Sequence, residues 1–250
     1  MCSSLKNSFF AGIIFLCLMS LSQSLFSQTP VLYIGTGGTL YIGSGGFVYE
    51  GGDVIVDGIG RNEDSLLLTG NLSCDTFTSI GCEIFIGSGN QAILTTIKDL
   101  NGLGHFVKQN GANITLNGDV DCDSLSFLTN GRIIVTDTLK IKDDAATAIK
   151  GYGLLRYVDV DDNTGVLSRK TSTINIVYVW PMGNSIAGYK RFDIVLSSTG
   201  SSGTSFVNGK LKNGSPGSVT YNKFYPTGFS GNYPGMSCTV GTNKQWVQFT

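Results

Sequence analysis

The stretch from Leu32 to Gly58 decides the fold: it reads LYIGTGGT (residues 32–39), LYIGSGGF (40–47), VYEGGD (48–53) and VIVDG (54–58). Leu32, Leu40 and Val48 stand eight residues apart, which makes this an internal repeat. Each unit joins about four residues of strand-forming character to a glycine-rich corner of similar length. Alternation puts Leu32 and Ile34 on one face and Tyr33 on the other, and Leu40, Ile42 and Tyr41 repeat the arrangement. A four-residue strand spans only about 13 Å, so an isolated hairpin of such strands buries too little to be stable. Stacking removes the difficulty. If three strand-and-corner units complete one turn, a rung holds roughly 24 residues and suits a parallel β-helix whose coils cover one another's apolar face. The competing arrangement is an antiparallel meander, because asparagine-glycine corners also favour hairpins. Glu50 stands where Ile34 and Ile42 stand in the earlier units, a departure from the repeat.

Short strands of the same kind continue outward from this stretch, through Ser65 to Leu72, Glu83 to Ile86, Asn113 to Leu116, Ser124 to Leu128, Arg132 to Val135 and Thr138 to Lys142. Asn110-Gly111, Asn117-Gly118 and Asn130-Gly131 punctuate them as turns. The weak helix candidate is Ala145 to Ile149. Near residue 150 the texture changes to longer strands, Gly153 to Val160, Thr173 to Trp180, Phe192 to Ser197 and Ser205 to Lys212, followed by a Gly-, Pro-, Tyr- and Ser-rich loop. The expected fold is therefore all-β, a short-rung parallel β-solenoid over residues 28–150 and an antiparallel β-sandwich over 151–250. The last strand-like segment, Lys244 to Thr250, runs into the chain end, so the sandwich is expected to be incomplete or the chain to be part of a longer protein.

Residues 1–27 read as a cleavable signal peptide: Lys6 supplies the positive start, Phe9 to Leu21 the apolar run, and Ser22 to Gln28 the polar stretch where cleavage falls before Gln28. Thirteen apolar residues are too few to span a bilayer comfortably, so no transmembrane anchor remains after the signal is removed. The expected location is secreted or cell-surface, with the export machinery as a partner. Charged residues make up 14% of the chain, against roughly 25% in average globular proteins. Removing Lys6 leaves 16 Lys+Arg against 18 Asp+Glu, a balance of −2, which gives no electrostatic footprint for nucleic acid. Cys2 and Cys17 leave with the signal. Of the remaining Cys74, Cys82, Cys122 and Cys238, an even number compatible with export, Cys74 and Cys82 make the most local of the disulfide pairings.

Later in the chain come Tyr157-Val158-Asp159, Leu167-Ser168-Arg169, Trp180-Pro181-Met182-Gly183 and Trp246. In order and spacing over about 100 residues these resemble the second part of a broad group of exported surface proteins of the Bacteroidetes, in which a leader precedes glycine-rich β repeats and then a sandwich. Here Trp and Met stand for the usual Phe and Val, and the glycine after the Asp is missing. The resemblance implies an adhesin or other surface component, exported by the type IX route through a C-terminal sorting domain. No such domain is read before Thr250, so the chain is expected either to continue or to travel differently.

Three sets of residues are candidates for chemistry. Asp159, Asp161 and Asn163 offer oxygen ligands at alternate positions, as a calcium loop would. The sixth place lacks glycine and Lys170 holds the twelfth, so an ordinary solvated turn is the alternative. Asp119, Asp121 and Asp123 line one side of a strand, where solvent exposure is the plainer explanation. Tyr33, Tyr41 and Tyr49 recur on the face opposite the apolar one, and Tyr225 stands among Tyr221, Phe224, Phe229 and Tyr233 in the late loop. Stacked tyrosines suit a glycan or a surface protein, whereas ladder residues between strands are the structural alternative. His105 is the single histidine, and Glu50, Glu63 and Glu83 are the mature chain's glutamates. That poverty excludes a recognisable catalytic constellation. The expected function is a non-enzymatic scaffold or adhesin-like module, with a carbohydrate-cleaving β-helix as its rival.

Overall fold

The computed structural model describes residues 31–97, 102–160, 164–184, 188–195, 205–212 and 246–249. The leader, Asp161, Asn163, Tyr225 and Cys238 lie outside the described residues. In chain order the strands are β1 (Val31–Ile34), β2 (Thr39–Ile42), β3 (Phe47–Glu50), β4 (Asp53–Asn62), β5 (Ser65–Leu68), β6 (Leu72–Ser79) and β7 (Cys82–Phe85). Then come β8 (Gln91–Ile93), β9 (Leu103–Lys108), β10 (Ile114–Leu116), β11 (Val120–Phe127), β12 (Ile133–Val135), β13 (Thr138–Ile141) and β14 (Ile149–Lys150). The last are β15 (Val158–Val160), β16 (Val166–Thr171), β17 (Val177–Asn184), β18 (Gly188–Val195), β19 (Ser205–Lys212) and β20 (Trp246–Phe249). The stretch Ala145 to Ile149 holds a single 3-10 turn, Ala146–Ala148, and no α-helix forms among the described residues. Nor is any helix there long and apolar enough to cross a membrane.

These strands wind into a parallel β-solenoid of about 7 turns. Its walls are two ten-stranded sheets. One runs β1-β4-β6-β8-β10-β12-β15-β17-β18 with β2 beside β4, and the other β3-β5-β7-β9-β11-β13-β16-β19-β20 with β14 beside β11. The glycine repeat is the first turn. Val31 pairs with Asp53, 22 residues on, after three strand-and-corner units, close to the rung expected from the sequence. The two corners are alike: Gly38 N–H bonds to Gly35 O at 2.9 Å and Gly46 N–H to Gly43 O at 2.8 Å, with Gly37 and Gly45 at φ of 79° and 78°.

The second turn is shorter because the corners shrink. β4 passes beneath β1 and then beneath β2, bending at a bulge between Val56 and Ile59 where the first turn spends a whole corner. Gly58 lies at that bend, and a Cβ there would meet the Gly38 carbonyl oxygen at 2.3 Å. Consequently the offset falls to 20 residues between Thr39 and Ile59 and to 18 between Phe47 and Ser65. Later offsets range from 17 (Ser65 to Cys82) to 28 (Thr138 to Val166).

Alternation carries the apolar face inward in register. Leu32, Val54, Leu72, Ile93, Leu116, Val135 and Val160 are successive partners, one per turn, in a single inward ladder. From Val54 to Val160 every member is wholly buried. Leu32, Ile34, Leu40 and Val48 of the first turn pack against this core but stay half-exposed, having a described neighbour on one side only.

Parallel pairing runs past Lys150, to Asp159 opposite Gly183, before the chain turns antiparallel. A sandwich standing apart from the solenoid is not seen among the described residues: β18 and the pair β19-β20 add antiparallel strands to the ends of the two solenoid sheets. Trp180, Tyr178 and Met182 close the core there. Arg169, also wholly buried, lies 5.2 Å from the Tyr178 ring and donates to the carbonyls of Val179 (2.8 Å), Ala145 (2.7 Å) and Ala146 (2.9 Å). A cation is tolerated at this depth because carbonyls take up its charge and aromatic faces cover it.

The ladder makes core truncation expensive in the middle of the solenoid and cheap at its first turn. Leu116→Ala is expected to cost about 3 kcal/mol in denaturant unfolding and Leu40→Ala less than about half of that.

Candidate binding surface

Outward-facing side chains of the first two turns form the surface that the repeat presents. Tyr33, Tyr41 and Tyr49 point away from the core and are 58%, 57% and 57% exposed. Each pairs with a different strand segment of the next turn: Tyr33 opposite Ile55, Tyr41 opposite Arg61 and Tyr49 opposite Leu67. Tyr33 and Tyr41 therefore lie on one sheet, over successive segments of β4, and Tyr49 lies on the other sheet. Their tips are fixed from the turn below. Tyr33 Oη donates to Asp57 Oδ2 at 2.7 Å and Tyr41 Oη to Glu63 Oε2 at 3.0 Å. Those bonds to carboxylates hold both phenol pKa values above the ordinary range. Arg61 lies 5.7 Å from the centre of the Tyr41 ring and bonds Glu63 at 2.6 Å. Tyr33 and Tyr41 thus offer exposed apolar rings with their hydroxyls already oriented, one face of Tyr41 having Arg61 over it, and Tyr49 adds a third exposed ring.

Elsewhere on the outer faces, carboxylates meet cations one turn away. Asp121 has Lys140 at 3.8 Å, Asp123 has Lys142 at 3.3 Å and Asp159 has Arg132 at 2.5 Å. The alternating Asp119, Asp121 and Asp123 thus supply two ion-pair rungs between β11 and β13. Asp159 holds its arginine from the neighbouring turn, while Asp161 and Asn163 of the same calcium candidate lie outside the described residues. No group of three His, Cys, Asp or Glu among the described residues is arranged to hold a metal ion.

The local disulfide expected between Cys74 and Cys82 is not made. Both are free thiols, as is Cys122. Cys74 faces the core of the first sheet behind Val56, whereas Cys82 opens β7 of the other sheet and points outward beside His105. Sequence proximity misled because a corner of the solenoid separates the two residues. Burial pushes the Cys74 thiol up to about 12 and Cys122 well above its ordinary value, so neither is a ready nucleophile.

Sequence reasoning missed two buried charges on the second sheet. The inward ladder Val48, Leu66, Glu83, Phe106, Leu125 and Ile149 contains a carboxylate, and the adjacent ladder Glu50, Leu68, Phe85, Lys108 and Phe127 contains an ammonium. Glu83 and Lys108 are wholly buried. Glu83 accepts from Asn62 Nδ2 at 2.6 Å, Gly104 N–H at 3.0 Å and the Ser79 hydroxyl, linking three successive turns at one corner. Lys108 Nζ donates to the carbonyls of Asn110 (2.7 Å) and Asn130 (2.6 Å) across two turns. The alternation of Glu83 with Phe85 was a signal in the sequence, since both fall on one face of a four-residue strand. His105 points outward, with Nε2 2.7 Å from Ser126 Oγ. Burial and nearby Lys150 lower its pKa.

Burial raises the Glu83 carboxyl to about 7, against the pull of its three donors, and lowers Lys108 to about 8. Between the ordinary 4.5 and about 7, the folded chain holds a proton at Glu83 that the unfolded chain releases, so stability falls as pH rises through that window. Between about 8 and 10.5 the unfolded chain holds the extra proton at Lys108, so stability rises with pH there. Comparison with protein-family models, with curated proteins and with solved structures returns no match for this chain.

Two measurements follow from this geometry. Urea unfolding is expected to give a stability minimum near neutral to mildly alkaline pH. Glu83→Gln flattens the acidic limb, worth on the order of 3 kcal/mol, and Lys108→Met flattens the alkaline one. Calorimetry with and without calcium is expected to give one melting temperature, because Asp159 is held by Arg132; a rise with calcium that Asp159→Asn abolishes would assign the metal to Asp159.

Proposed function

We propose that this chain is an exported, non-enzymatic surface or extracellular protein, a scaffold or adhesin-like module that presents its outer faces to a glycan or a surface protein. On this reading residues 1–27 are a signal peptide removed before Gln28, and the chain belongs with the Bacteroidetes surface proteins that its later motifs resemble. The observation that carries the proposal is the pairing of exposed rings at Tyr33 and Tyr41 with hydroxyls held by the next turn. Tyr33 and Tyr41 are thereby rigid contact groups on a rigid wall, which lowers the entropy cost of binding a flat apolar ligand face.

The rival reading, a polysaccharide-cleaving β-helix, draws on Glu83, whose carboxyl is raised to a value suited to a general acid. Its position argues against that use. Glu83 is wholly buried inside the coil, with Asn62, Ser79 and Gly104 occupying it, and a polymer has no approach to it. The outward Asp121, Asp123 and Asp159 each face a cation, which keeps them from acting as a proton-sharing pair.

A glycan-binding array read in parallel with a glycan-cleavage screen separates the two. Binding without product, weakened roughly tenfold by Tyr33→Ala or Tyr41→Ala, is the expected result. Specific release of oligosaccharide would overturn the proposal.

A further inference from the structure

The first turn ends both sheets, and the one charged side chain on its three strands is Glu50, at the last position of β3. β1 and β3 end their sheets, and β2 pairs with β4 alone, so all three strands have a described neighbour on one side only. From Val31 to Tyr49 the sequence contains no Asp, Glu, Lys, Arg or His. Exposed edges are normally guarded by charged side chains that oppose pairing with another chain. The opposite end of the same sheet has that protection, since β18 exposes Lys190, Arg191 and Asp193. The first turn instead exposes Val31 and Phe47, and it leaves the inward Leu32, Ile34, Leu40 and Val48 half-covered.

The edge also has free backbone groups. The Gly38 carbonyl accepts from Ile59 N–H at 3.0 Å, on the β4 side. In a trans peptide the following N–H points the other way, so Thr39 presents its N–H to the open side of β2.

We propose that this first turn is an interface between two copies of the chain, which meet head to head with edge strand against edge strand. The inference rests on the export reading: once the leader is removed before Gln28, three residues precede β1, roughly 10 Å of extended chain, against 22 residues in the turn to be covered. A second copy fits better than a charged partner, because residues 31–49 meet their counterparts with no charge to repel or neutralise, and the one carboxylate per copy, Glu50, stands at the end of β3. The far ends of both sheets differ in strand sense, and β18 differs in charge as well, so the contact is isologous and closes at a dimer. Opposed coil directions make the new strand pairs antiparallel.

The test is sedimentation of the full chain expressed with its leader in an exporting host, over a roughly hundredfold range of concentration. The expected species is a dimer that persists from about 0.1 M to about 1 M salt, since no ion pair holds it. Val31→Lys with Phe47→Lys, both outward and exposed, is expected to give a monomer whose unfolding midpoint matches that of the native chain at dilutions where the native dimer has dissociated. Thr39→Pro, which removes only the free N–H at a strand start, is expected to do the same. A native chain that begins at Gln28 and stays monomeric throughout, or a charge variant that stays dimeric, would overturn the interface. The mass of the purified chain reads the other idea separately, because retention of residues 1–27 overturns the export reading whatever the sedimentation shows.

Discussion

Everything in this molecule depends on the covering of one short strand's apolar face by the next turn. Four residues at about 3.3 Å each cannot bury enough surface to offset their own ordering, and each strand acquires a core only as one rung of a ladder. Leu32, Val54, Leu72, Ile93, Leu116, Val135 and Val160 are equivalent in that sense. Backbone pairing runs along the solenoid axis, side-chain packing runs along the same axis, and the two reinforce each other at every turn. Stability in such a coil is close to a sum of nearest-neighbour terms, which is why its ends matter so much.

The corners are where this arrangement is weakest, because backbone groups there leave the sheet ladders. Two solutions coexist. In the first turn, glycine corners close on themselves through short backbone hydrogen bonds. In later turns buried polar side chains take over: Asn62, Ser79 and Glu83 at one corner, Gln91 bonded to the carbonyls of Leu68 and Gly70 at another, and Lys108 between Asn110 and Asn130. These groups are costly to bury, and each is satisfied by atoms of neighbouring turns, so they specify which turn lies upon which. The same logic explains Arg169, which ties the carbonyls of Ala145 and Ala146 to that of Val179 where the coil gives way to antiparallel strands.

Function, on the reading advanced above, belongs to what the ladder leaves outside. An inward-facing set locked by alternation leaves an equally regular outward set, and the first turns fill it with tyrosines. The turn below holds the hydroxyls of Tyr33 and Tyr41, so the regularity that builds the core also fixes these contact groups. With Tyr33 and Tyr41 on one sheet and Tyr49 on the other, the tyrosines suit a module that engages partners on more than one wall.

The amino-acid sequence by itself determined the repeat, the inward and outward faces, and the approximate length of the first rung. Eight-residue spacing, period-two alternation and glycine corners are local properties, and three such units do complete the first turn. It also placed the tyrosines on the outer face correctly. Tertiary structure decided what no local pattern encodes. The strands after Lys150 prolong the solenoid sheets, because their partners lie a turn away and not next to them in sequence. Cys74 and Cys82 stay apart, because a corner carries the chain from one sheet to the other between them. Glu83 and Lys108 go inside, because position on the ladder overrules side-chain polarity wherever neighbouring turns supply hydrogen-bond partners. Each of these outcomes depends on which residues come into register some 17 to 28 positions along the chain, and register is fixed only when the whole stack forms.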